Sequence, residues 1–374
     1  MSIVILGAGV VGLSAAVLLQ SQYPDRKITI LTKVHPAGDL SAVNDEDYAS
    51  NKAGAVWSTS ADDQYPHVRG FCEATYHALW QLARRPELAI MRISTYELKP
   101  ERPEGWTPPY VSAFAHDFRI VDREPLFGSG SYFGVHYKTT TVNVGKYLKV
   151  LADLFVSRGG HIVVRGVRHI DEALDYDEDV RVVINCTGYG AHFLGGVDDQ
   201  NVYPIRGQIV LVKAPWVCMR ISMGWGPKAM TYMIPREDGT LILGGTYEAN
   251  ERDIQPNPRT ADAIIERCKV LYPELVPADG SQLDIITTVA GLRPARKGGV
   301  RVEGETIVRN ERSILLVHNY GHGGYGFVAS WGCADRVYQL VEEFLHSRRI
   351  EGAGSSLAGF LERVEGIFDN ASQE

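Results

Sequence analysis

The glycines at positions 7, 9 and 12 have the Gly-x-Gly-x-x-Gly spacing that suits one task, holding the pyrophosphate of a dinucleotide. Gly7 permits a sharp turn, Gly9 lets a phosphate approach the backbone, and Gly12 lets the next helix pack on the preceding strand. Ala8, Val10 and Val11 complete the turn, and the phosphates meet unpaired N–H groups at a helix N-terminus. A second cluster, Gly321, Gly323, Gly324 and Gly326 within His318–Phe327, exposes backbone N–H groups at another helix start. Such a turn suits an electron-rich ring edge, for example the pyrimidine side of a reduced flavin. Val183–Gly188 is an apolar run ending in small residues, where a backbone can pass close to a cofactor. An NAD site has a carboxylate about 20 positions beyond the first turn. Thr32 and Lys33 stand there instead, which weakens the nicotinamide reading and also departs from the common flavoprotein pattern.

These segments need elements to position them. Ile3–Leu6 reads as a buried strand, Leu13–Gln20 as a buried helix and Lys27–Leu31 as a second strand, together a parallel unit of the kind that binds dinucleotides. Residues 33–56 read as a long loop with an acidic turn at Asp45–Asp47, residues 66–92 as helical, and residues 99–130 as an irregular excursion. Val142–Ser157 reads as a helix, and Gly160–Arg165 and Arg181–Asn185 as strands. Beyond residue 200 the texture changes. Ile209–Lys213, Thr231–Pro235 and Leu241–Tyr247 are strands joined by turns, with Arg236-Glu-Asp-Gly239 a tight hairpin. Arg259–Leu271 is a helix, Val300–Val308 and Ser313–Val317 are strands, and Phe327–Arg348 is a long helix. The fold class is therefore α/β: a discontinuous Rossmann-like domain over residues 1–90, 140–190 and 290–350, a mostly antiparallel domain over 91–139 and 191–289, and a tail over 351–374.

The chain has 374 residues, 45% apolar and 22% charged, which is ordinary globular usage. The net charge of −7 excludes a strongly basic nucleic-acid footprint. No apolar run reaches the ~18 residues of a membrane span. Five widely spaced cysteines form no CxxC pair and read as reduced thiols of an intracellular protein, with a Cys218–Cys268 bridge left open. No metal site is expected.

Taken together, these segments resemble the D-amino-acid oxidase family of flavoproteins over nearly the whole chain. The resemblance rests on Gly7–Gly12, Lys52–Trp57, Gly134–Tyr137, Val183–Gly188, Arg206–Gln208, Tyr232–Arg236, Gly244–Tyr247, Gly291–Arg296 and Asn319–Phe327. It implies a non-covalent FAD, D-amino acid substrates and reoxidation by O2. It places the flavin against Gly7, Ala8, Gly9, Val10, Val11, Gly12, Thr32, Lys33, Ala53, Gly54, Val164, Thr187, Gly188, Gly321, Gly323, Gly324, Tyr325, Gly326 and Phe327. Arg293 matches the arginine that grips the substrate carboxylate, a task its paired donors suit. Tyr232 and Tyr247 match tyrosines that contact the same carboxylate, and the Gly324 carbonyl matches the acceptor for the substrate amine. Similar D-aspartate oxidases have arginine in place of Tyr247, so neutral side chains are expected. Met223 and Trp57 are weaker candidates for the side-chain pocket, and Arg296 reads as structural. No side chain is expected as acid or base, because hydride transfer from a neutral amine requires none. The alternatives are a D-aspartate, glycine or sarcosine oxidase, a nucleotide-fold protein without redox activity, and third a nicotinamide dehydrogenase. A homodimer is left open: the short stretch between the strands near residues 302 and 317 argues against the loop-mediated dimer of fungal members. The resemblance also implies a peroxisomal location, but the terminal Ala371-Ser-Gln-Glu374 is not a targeting tripeptide, which leaves the cytoplasm open.

Overall fold

The computed structural model describes residues 1–36, 48–58, 66–126, 130–224, 230–309, 311–346 and 356–369. The acidic turn at Asp45–Asp47 lies outside them. In chain order the strands are β1 (Ser2–Leu6), β2 (Lys27–Thr32), β3 (Ile90–Lys99), β4 (Arg119–Leu126), β5 (Gly130–Val142), β6 (His161–Val164), β7 (Val180–Asn185), β8 (Val202–Lys213), β9 (Met219–Met223), β10 (Thr231–Pro235), β11 (Thr240–Gly244), β12 (Glu248–Ala249), β13 (Asp284–Arg296), β14 (Arg301–Arg309) and β15 (Arg312–Tyr320). The helices are α1 (Val10–Gln22), α2 (Arg69–Leu82), α3 (Val144–Ser157), α4 (Asp171–Leu174), α5 (Pro258–Leu271), α6 (Gly326–His346) and α7 (Leu357–Asp369).

Two sheets divide these strands. The first has the order β14-β15-β7-β1-β2-β6, parallel except for β14 at its edge. β1 lies near its middle and all five of its residues are buried, as an unbroken apolar run predicts for a parallel strand. The run of residues from Gly12 to Gln20 in α1 is buried too, because the helix packs against α6, α3 and α7 as well as the sheet. Gln20, polar but buried, donates from Nε2 to the carbonyls of Phe155 and Arg158 at 3.0 and 3.1 Å and so satisfies the C-terminus of α3.

The second sheet has nine strands in the order β12-β8-β11-β10-β9-β3-β5-β4, with β13 along the other edge of β8. β10 and β11 form the expected hairpin: Arg236 N donates to Thr240 O, Gly239 N donates to Arg236 O, and Gly239 takes φ +75°. One face of this sheet packs on α5 through Val210, Val212, Met233, Leu241 and Leu243. The other face looks toward the first sheet.

The structure corrects several expectations. The span 66–92 is helical only to Leu82 apart from a short turn at Pro86–Leu88, and β3 begins at Ile90. The excursion 99–130 contains β4. β5 pairs with both strands; its Thr139, Thr140 and Thr141 are buried, so its composition hid a core strand. β13 runs through the expected boundary at residue 290. The segment read as a tail contains α7, whose Phe360, Val364, Ile367 and Phe368 join the main core. Cys218 and Cys268 are both free, the first exposed and the second buried. Among the described residues no helix is long and apolar enough to cross a membrane, and no cluster of His, Cys, Asp or Glu could hold a metal.

Candidate active site

One cavity of about 1430 Å³ is lined by residues of both sheets. That exceeds the roughly 300–1,000 Å³ of a small-ligand pocket and leaves room for a dinucleotide with a small substrate. Its lining carries seven Lys and Arg residues and, among the described residues, no Asp or Glu. Such a lining suits ligands that bring their own negative charge.

The turn after β1 forms one wall. Gly7 has φ +97°, and a Cβ there would lie 2.6 Å from the Cys186 carbonyl oxygen. A Cβ on Gly12 would overlap the Gly7 carbonyl oxygen, so helix and strand end meet as closely as backbone allows. Gly7, Ala8, Gly9, Val10 and Val11 line the cavity, while Gly12 is one layer behind. Ser50 and Tyr48 brace the turn: Val10 N donates to Ser50 Oγ at 3.0 Å and Tyr48 Oη donates to Ala8 O at 2.9 Å. Thr32 and Lys33 line the cavity at the end of β2, with Thr32 Oγ1 turned to Val34 O. Val164 does not line it. Its side chain is 60% exposed, and the chain reaches the cavity only at Arg165–Arg168, one residue beyond the strand.

Thr187 and Gly188 follow β7 and lie on the wall, their turn held by Asn185 Oδ1, which accepts from Thr187 N and Oγ1. Ala53 and Gly54 also line it. Buried Arg236, in the β10–β11 hairpin, donates from Nη2 to Ala53 O at 3.1 Å and so holds that loop to the second sheet; burial lowers its pKa to about 10. Gly321, Gly323, Gly324, Tyr325, Gly326 and Phe327 close the far side. Gly323 N donates to Pro294 O at 2.7 Å, so this turn is tied to β13, and the N-terminus of α6 opens beside that of α1. Two helix N-termini and a first turn where a Cβ on Gly7, Gly9 or Gly12 would clash with neighbouring atoms fit a dinucleotide with a flavin ring.

The second sheet supplies the other half. Arg293 on β13 donates from Nη1 to Thr246 O at 3.1 Å and to Arg206 O at 3.4 Å. A guanidinium has five N–H donors, so these contacts anchor it and leave donors for a carboxylate. The Tyr247 ring centroid lies 5.8 Å from Arg293 Cζ. The Tyr232 hydroxyl is buried, which raises its pKa, while neighbouring Arg293 opposes the rise. Gly324 sits against the Arg293 stem. The cavity thus gathers Arg293, Tyr232, Tyr247 and Gly324. Trp57 and Met223 are outside it: Trp57 is 1% exposed, donates from Nε1 to Cys72 O and packs edge-on to Tyr76. Arg296 lines the cavity but is paired with Asp199 at 2.7 Å. Against its own burial, hydrogen bonds from Arg296, the Asn201 N–H and Tyr320 pull Asp199 down to about 2.

The roles of three residues of this site were not legible in the local sequence. Gly207 leaves the room that the Arg293 guanidinium fills. Arg236 read as the start of a hairpin and the end of the segment Tyr232–Arg236, with nothing to show that it would hold Ala53. Arg220, on β9, lay in a stretch to which the sequence assigned no element, and only the fold brings Glu97 opposite it.

A glycine turn feeding a helix N-terminus, joined to an antiparallel sheet that carries an anchored arginine, defines a two-part dinucleotide-dependent oxidoreductase. The chain belongs to the FAD-dependent oxidoreductase family, whose model matches residues 2–340, and its cofactor is FAD. It is 35% identical to the D-amino-acid oxidase of Schizosaccharomyces pombe, over 89% of this chain and 93% of that one. It is 31% identical to a D-aspartate oxidase of Talaromyces thermophilus, over 91% and 94%. The fold is similar to that of glycine oxidase from Geobacillus kaustophilus, with a TM-score of 0.68 at 18% identity over 91% of this chain and 94% of that one.

Proposed function

We propose that this protein oxidises D-amino acids with neutral side chains. Water and O2 are consumed, and the products are the 2-oxo acid, ammonia and hydrogen peroxide. The observation that carries this reading is the anchored Arg293 beside Tyr232 and Tyr247, in a cavity with no carboxylate among its described lining residues. FAD, when bound, supplies the hydride acceptor for the α-carbon hydrogen. The turns at Gly7–Val11, Ala53–Gly54, Thr187–Gly188 and Gly321–Phe327 would hold it.

The chain's own task is placement. Arg293 and the two tyrosines fix the substrate carboxylate, and the Gly324 carbonyl accepts from its amine. With both ends held, the two enantiomers present different groups toward the flavin side, and only one directs its α-hydrogen there. No acid or base is required if the amine arrives neutral; burial depresses the pKa of cavity-lining His322 to about 4, so its ring is uncharged near neutral pH. Tyr247 places a phenol where a side-chain carboxylate would need a cation, which favours neutral substrates over D-aspartate. In the same reading the six-stranded sheet and its helices form the FAD unit and the nine-stranded sheet forms the substrate unit.

The test is peroxide release from purified protein with D-alanine, L-alanine, D-aspartate, glycine and sarcosine. Turnover of D-alanine well above the others is expected. Preference for D-aspartate, or for glycine and sarcosine, would replace the reading with one of those activities.

A further inference from the structure

Arg220 is 1% exposed yet lines the cavity on the same face of the second sheet as Tyr232, since Tyr232 pairs with Ser222 two residues along β9. Its Nη1 donates to Thr95 Oγ1 at 2.8 Å and Glu97 Oε1 at 2.9 Å, and Tyr137 Oη donates to the same carboxylate oxygen at 2.7 Å. Its Nε finds no acceptor. A buried guanidinium with unspent donors is costly unless something completes it. It stands on β9, across β10 and β11 from the β8–β13 pair that carries Arg293. A substrate held by its carboxylate at Arg293 and Tyr232 therefore has Arg220 farther along the same sheet face.

We propose that Arg220 reads the substrate side chain and selects D-amino acids bearing a neutral hydrogen-bond acceptor, the carboxamides D-asparagine and D-glutamine above all. This deepens the oxidase reading and rests on it. The preference for an amide over a carboxylate follows from Glu97. The Arg220–Glu97 pair is nearly buried on both sides, at 2% and 11% exposure. It presents donors while carrying no net charge. A side-chain carboxylate would bring a second anion next to Glu97, whereas an amide oxygen accepts from the guanidinium without that repulsion. An apolar side chain of the same shape leaves the donors unpaired.

The experiment compares near-isosteric substrates on the holoenzyme: D-asparagine against D-leucine and D-aspartate, and D-glutamine against D-methionine and D-glutamate, with D-alanine as reference. For at least one carboxamide, kcat/KM should exceed that of both its counterparts by tenfold or more. In Arg220→Lys, which keeps a cation beside Glu97 but loses the planar donors, the carboxamide-to-apolar ratio should fall about tenfold. Arg220→Met/Glu97→Gln removes both charges together and gives the same readout if the lysine variant does not fold. Wild-type enzyme that oxidises D-alanine but favours neither carboxamide, or a ratio unmoved in the folded variant, overturns the assignment. Preference for D-aspartate or D-glutamate overturns the amide class. If D-alanine itself is not oxidised, the oxidase reading falls and this proposal with it.

Discussion

The guanidinium of Arg293 fills the space into which a side chain at residue 207 would project: a Cβ there would overlap Nη1, Nη2 and Cζ at once. The two residues are diagonal neighbours, because Gly207 on β8 pairs with Gly291 on β13, two positions before Arg293. Gly207→Ala should therefore displace the guanidinium without touching the flavin side. We expect kcat/KM for D-alanine to fall by roughly ten- to a hundredfold, since displacements of about 1 Å at a positioned group have such effects, while bound flavin per chain stays at the wild-type value. Unchanged kinetics in a folded variant would show that Arg293 does not need this space.

Arg293 and Tyr247 should differ sharply in weight. Arg293→Leu removes at least two charge-assisted bonds of about 1.5–3 kcal/mol each and should cost a hundredfold or more in kcat/KM. Tyr247→Phe loses one bond to the carboxylate and no cation, and should cost about tenfold. Tyr247→Arg should move the D-aspartate to D-alanine ratio upward. Steady-state kinetics on both substrates decide all three, and near wild-type activity in Arg293→Leu would mean the carboxylate is held elsewhere.

The purified protein should be yellow, and acid precipitation should release all of its FAD into the supernatant. Gly9→Val should lower flavin content strongly, because a side chain there starts 2.9 Å from Ser50 Oγ, the group that accepts the Val10 N–H. Flavin that stays in the precipitate would reveal a covalent link, and full flavin loading of the valine variant would make the turn purely structural.

His322 gives a pH prediction. It is 4% exposed, and burial lowers its pKa from 6.5 to about 4. Between those values the unfolded chain binds the proton and the folded chain does not, so stability rises with pH across the window and is lost as pH falls from about 6.5 toward 4. The full window corresponds to on the order of 3 kcal/mol. Thermal midpoints of the holoenzyme at pH 7.5 and 5.0 should lie closer together in His322→Asn than in wild type. Equal gaps would mean the ring is already protonated in the native state.

Local signals in the chain were enough for β1, its glycine turn and α1, because twenty consecutive residues make that unit and the turn chemistry lies within it. The same holds for the β10–β11 hairpin. Long-range pairing was not legible. Arg220 and Glu97 are 123 residues apart, and neither sits in a motif. β5 hid behind three threonines that serve as core residues once Thr139 Oγ1 donates to Trp57 O. Val164 fell one residue short of the cavity because a strand end is local, whereas the turn that follows it is aimed by the sheet it leaves.

The position of β1 has a consequence for how the molecule comes into being. β1 lies beside β7, which in turn pairs with β15, and α1 packs against α6 and α7, which lie far from it in sequence. The flavin cradle is thus split between the two ends of the chain. Its glycine turn at Gly7–Val11 and the wall at Gly321–Phe327 come from segments far apart in sequence. Loop closure over such separations is slow. The flavin cradle therefore closes only through contacts between segments far apart in sequence, and α1 stays apolar and uncovered until α6 and α7 reach it.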